Sequence, residues 1–137
     1  MRNKYMRVIA AAGLLLAAVA PIAAHHAFAA EFDANKPVKF TGTVVKVDFI
    51  NPHSWIHMDV KDASGKVTRW MIEGGSPNTL FRRGITKDSL PEGTQITVDG
   101  YQAKDGSNKA NGRDVTYPDG RKIFLSNSNP NEGPPGK

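Results

Sequence analysis

Cysteine is absent from the 137 residues. Disulfides, thiolate metal sites and cysteine nucleophiles are therefore excluded, and the core has to hold without cross-links. Histidine is scarce: four residues, His25, His26, His53 and His57. Aromatic residues make up 8% of the chain, with two tryptophans, Trp55 and Trp70. There is no Gly-rich phosphate loop, no Gly-x-Ser-x-Gly elbow and no His-Glu-x-x-His. Ser54, Ser64 and Ser76 sit in turn or cap contexts. With no nucleophile–base pair in a recognisable setting, the sequence reads as non-enzymatic. After Ala20 no apolar run approaches the ~20 residues needed to cross a bilayer.

What is present begins with an export signature. Arg2, Lys4 and Arg7 precede the apolar run 8–20, and Pro21 and small residues follow. That order describes a secretory signal peptide. Cleavage after Ala24 makes His25 the first mature residue; cleavage after Ala29 removes both early histidines. The first lies closer to the apolar run and is preferred. Residues 1–24 hold three of the 18 Lys and Arg and none of the 13 Asp and Glu, leaving 15 against 13, or +2. A nearly neutral mature chain gives no electrostatic reason to expect nucleic acid. The expected location is the periplasm or the medium.

The rest divides into a polar N-terminal arm (25–37), one domain (38–125) and a tail (126–137) rich in Asn, Pro and Gly. The alternation predicts strands at 39–49, 54–62, 66–73, 94–103, 113–117 and 121–125. In the first strand the apolar face switches at Val44-Val45, next to Gly42, which predicts a bulge. Ser76-Pro77 starts a short helix at 78–83, with Gly84 ending it. Three strands, a helix, then two or three strands is the order of an OB-like, five- to six-stranded Greek-key barrel: an all-β fold with one short helix.

The stretch Asn51–Asp59 carries the candidate chemistry. On a strand, His53, Trp55, His57 and Asp59 share one face, with Ile56, Met58 and Val60 on the core face. His53 and His57 then lie about 13 Å apart, so at most one joins any single-ion site. The copper reading uses the mature N-terminus. The amine and imidazole of His25, with a third nitrogen from His53 or His57, suit Cu(II), and cleavage one residue earlier would place His26 third from the amine, another strong copper chelate. Binding through neutral imidazoles weakens below pH ~6.5. The candidate metal residues are His25, His26, His53 and His57. Trp55, Asp59 and Trp70 are the candidate contacts for a small ligand or a protein partner, with Tyr101 as a further aromatic. Glu73 and Asp59, as carboxylates on adjacent strands, are expected to face water.

Several motifs coincide in order: Ala24-His25-His26-Ala27-Phe28-Ala29, Glu31-Phe32-Asp33, Asn51-Pro52-His53-Ser54-Trp55, Gly75-Ser76-Pro77-Asn78, Gly100-Tyr101 and Asp105-Gly106-Ser107. Together they resemble a family of exported bacterial proteins known as domain-of-unknown-function family 6152. The resemblance covers nearly the whole mature chain. It implies a periplasmic or secreted protein and brings no catalytic residue.

Overall fold

The structure is a computed structural model and describes residues 28–125. Residues 1–27, which include the expected signal segment, His25 and His26, and residues 126–137 lie outside the described residues. A helical turn over 28–31 leads into β1 (Phe32–Asp48). Then follow β2 (Trp55–Lys61), β3 (Val67–Glu73), α1 (Pro77–Arg82), β4 (Gln95–Ala103), β5 (Lys109–Thr116) and β6 (Lys122–Phe124). The fold is all-β with a small helical content, as the alternation predicts.

The strands run β3-β2-β1-β4-β5-β6, and β3 also pairs with β5. That last ladder closes five strands into a ring. It is parallel, joining Met71, Ile72 and Glu73 to Lys109, Ala110 and Asn111, whereas the other ladders are antiparallel. β1 serves two neighbours because it is long and bends. The bend is the expected bulge, between Val44 and Lys46 opposite β2. Gly42 makes room for it: a Cβ there would meet the Asp59 carbonyl oxygen at 2.5 Å and Met58 Cε at 2.7 Å.

Alternate residues fill the interior. Ile56 and Met58 of β2, Ile72 of β3, and Ile96 and Val98 of β4 are buried. α1 plugs one end with Leu80, 2% exposed, beside Ile85 and Leu90. Its start is written in the sequence. Ser76 is extended, its hydroxyl accepts the Thr79 amide, and Pro77 takes the first helical position. Gly84, at φ +80, ends it in the left-handed region. Ser76→Ala is expected to cost about 1 kcal/mol, read as a lower urea midpoint with an unchanged slope.

Two boundaries move by several residues from the sequence reading, and others by one. β1 begins at Phe32, inside the stretch read as an arm. Phe32 is buried, pairs with Ala103, and lies 5.9 Å from the Phe28 ring, which meets Tyr101 edge-on at 5.7 Å. A register shift between Phe32 and Pro37 absorbs the proline, which brings no amide to the ladder. β5 begins at Lys109 rather than Arg113, because 109–111 are held between β3 and β4. β6 is shorter, at Lys122–Phe124.

Candidate functional site

β2 delivers the expected faces. Ile56 and Met58 are buried, and Trp55, His57 and Asp59 are only partly so. The bulge in β1 sets which residues flank them. Asp48 stands opposite Trp55 and Lys46 opposite His57; on β3, Glu73 stands opposite Trp55, Met71 opposite His57 and Arg69 opposite Asp59.

The two histidines of the stretch go to different carboxylates. His57 Nε2 lies 2.9 Å from Asp48 Oδ2, and Lys46 Nζ donates to the same oxygen at 3.0 Å. The Lys46 hydrogen bond, then that of His57, holds the Asp48 carboxyl below its ordinary range. His53 precedes the strand, in the turn that follows the cis Asn51–Pro52 peptide. Its Nδ1 lies 3.2 Å from Glu73 Oε1. His25 and His26, the other members of the expected copper set, lie outside the described residues. Among the described residues, no group of three His, Asp or Glu side chains is arranged to hold a metal.

The predicted ligand contacts lie in separate neighbourhoods. Asp59 is held by Arg69 Nε at 2.5 Å, a pair that lowers the Asp59 pKa. Trp70 turns inward, against the core, with its ring centroid 4.6 Å from that of Phe40. Tyr101 is buried beneath Phe28. Trp55 alone stands beside the carboxylates, half-buried between Asp48 and Glu73.

Glu73 departs from expectation. It does not face water: the residue is 7% exposed, because β5 closes against β3 at this point. Asn111, 3% exposed, donates its Nδ2 to Glu73 Oε1 at 3.3 Å. Loss of water pushes the Glu73 carboxyl up, Glu31 adds to the rise, and His53, Asn111 and Lys109 oppose it. The result is a buried carboxylate, anchored from behind by an amide and covered by a histidine whose side chain is 44% exposed. Such a pair presents either a negative or a neutral acceptor to anything that displaces or joins the imidazole.

The segment 28–32 is fastened beside it. The Lys104 amide donates to the Glu31 carbonyl at 2.8 Å, and Lys104 Nζ donates to the Ala29 carbonyl. Sequence reasoning missed Asn111 and Glu31 because their relation to Glu73 depends on ring closure, which no local pattern encodes.

Comparison with known proteins adds a family. Searches of curated proteins and of solved structures give no match. The description "Family of unknown function (DUF6152)" matches residues 12–112, more than half of the chain. The motifs that suggested this family, from Glu31-Phe32-Asp33 through Asn51-Pro52-His53 to Asp105-Gly106-Ser107, fall inside the match. The chain belongs to this family.

Proposed function

We propose that the chain is an exported, non-enzymatic binding module with an OB-like barrel, and that its binding centre is the His53–Glu73 pair. The closed five-strand ring with α1 between β3 and β4 supports the barrel reading. One observation carries the site: a buried carboxylate whose cover is a half-exposed histidine. Burial of a carboxylate is costly, and a purely structural position would be filled more cheaply by an apolar residue. The ligand class is a cation or hydrogen-bond donor that reaches Glu73 through His53, with Trp55 as the neighbouring aromatic surface.

A second reading is copper, bound by the mature N-terminal His25 and His26 with His53 as the third nitrogen. The anchoring of residues 28–32 near Glu73 favours it, since Glu31 acts electrostatically on that carboxyl. Native mass spectrometry of the chain recovered from the producing cells tests both. A non-covalent mass present in the wild type and absent from Glu73→Gln supports the module. A bare chain in both overturns it. One copper retained after Cu(II) addition, and lost in His25→Ala with His26→Ala, supports the second reading; retention in that variant removes it.

A further inference from the structure

We propose that a cavity flanked by β1, β4 and β5 binds a small neutral polyol, holding a sugar-sized ligand through two adjacent hydroxyls. The proposal goes beyond the His53–Glu73 reading and rests on other residues. Two irregularities meet there. β1 shifts register against β4 between Phe32 and Pro37. β5 carries one extra residue, Arg113, since Asp99 faces Asp114 and Gly100 faces Gly112. A bulge of this kind re-aims its side chains. Arg113 and Asp114 come together, and Arg113 Nε donates to Asp114 Oδ2 at 2.9 Å. The cavity has a volume of about 240 Å³, and its wall includes Pro37, Val38, Lys39, Asp99, Tyr101 and Arg113.

The charged groups of this wall are spaced rather than joined. Asp99, with a side chain 18% exposed, has its Oδ1 3.8 Å from Lys39 Nζ and 3.9 Å from Arg113 Nη2. Charge-assisted hydrogen bonds close to about 2.7–2.9 Å. Neither cation completes one with Asp99. The order across the strands is cation, carboxylate, cation. An anion drawn to either cation would meet Asp99, and a cation drawn to Asp99 would meet Lys39 and Arg113. A hydroxyl suits both kinds of group, because it donates and accepts. Two adjacent hydroxyls would donate to Asp99 while one accepts from Lys39 and the other from Arg113. A zwitterion matches this order less well, since its one anionic group and one ammonium leave a cation idle. Pro37, Val38 and Tyr101 supply an apolar side for the C–H face of a sugar ring. The volume lies below the ~300–1,000 Å³ of drug-sized sites, so the ligand is no larger than one ring.

Amide chemical shifts of the isotope-labelled full chain, titrated with mannose, galactose and glucose and separately with glycine and phosphate, test the proposal. At least one of the three sugars is expected to shift Lys39, Gly100 and Arg113. Asp99→Asn should weaken that sugar about tenfold, the worth of a hydrogen bond to a charged group. Lys39→Gln should weaken it about fivefold. The Lys39 side chain is 70% exposed, so this second variant leaves the fold alone should Asp99→Asn disturb β4. No shift at these residues with any of the three sugars overturns the proposal, as do sugar shifts confined to the neighbourhood of His53 and Glu73. Shifts at the cavity with glycine or phosphate but with no sugar overturn it in favour of a charged ligand. Sugar binding left unchanged by both variants also overturns it.

Discussion

Gly100→Ala is expected to lower the thermal midpoint by about 15 °C, equivalent to ~3 kcal/mol for a domain of this size. The cause is steric. Gly100 stands opposite Gly112 where the β4–β5 register shifts, and a Cβ on it would lie 2.2 Å from the Asn111 carbonyl oxygen. That oxygen belongs to a backbone held by β3 on its other side, so it has nowhere to retreat. Gly106→Ala is the control. Gly106 has φ +74 and nothing within 4 Å of a Cβ, so only the conformational cost of ~1–2 kcal/mol applies. Calorimetry on both variants separates the two effects. An equal loss in both would mean that β4 and β5 do not approach so closely. Gly100→Ala should also loosen Asn111 and hence the hold on Glu73.

Glu73→Gln is expected to stabilise the protein by about 2 kcal/mol at neutral pH, the scale of removing one incompletely compensated buried charge. The sign follows from protonation. The folded state raises the Glu73 pKa, chiefly by desolvation, so folding favours the protonated form. That contribution is fully present below the unfolded value of ~4.3 and is lost as pH rises through the folded value. The difference between variant and wild type should therefore vanish near pH 4, grow as pH rises through the folded value and level off above it, measured by urea midpoints. His53→Ala should act in the opposite direction, since His53 opposes the rise. A pH-independent difference between Glu73→Gln and wild type would mean that Glu73 is solvated in the folded protein.

Local chemistry made much of this fold legible. Pro52 followed by alternation marked β2 and both its faces, and the face switch beside Gly42 marked the bulge in β1. Ser76, Pro77 and Gly84 marked α1. What escaped depends on distant partners. Lys109-Ala110-Asn111-Gly112 has no apolar alternation and reads as loop, yet Ala110 is fully buried because two strands flank it. Gly112 read as a loop glycine; Ile72 Cγ2 and Leu125 Cδ1 each lie 2.7 Å from where its Cβ would be. Phe32 read as part of an arm because Asp33 to Pro37 is polar, whereas the Phe28–Tyr101 contact fixes it from outside. For the candidate site, His53 was visible from its motif. Its partner was not, because the burial of Glu73 is made by β5.

The parallel ladder that closes the ring is also its shortest link within the barrel: three register pairs, against eight between β1 and β4. Breathing of the barrel should begin there, since local opening follows the fewest ladder contacts. Amide exchange should then be faster at Met71, which donates to the Asn108 carbonyl, than in the β1–β4 ladder. Opening would return Glu73 to water and release the proton that burial retains, so rising pH should favour the opened form. Glu73 and Asn111 would act as the clasp of the barrel as well as the floor of its candidate site, so a cation seated on Glu73 should slow exchange along this seam.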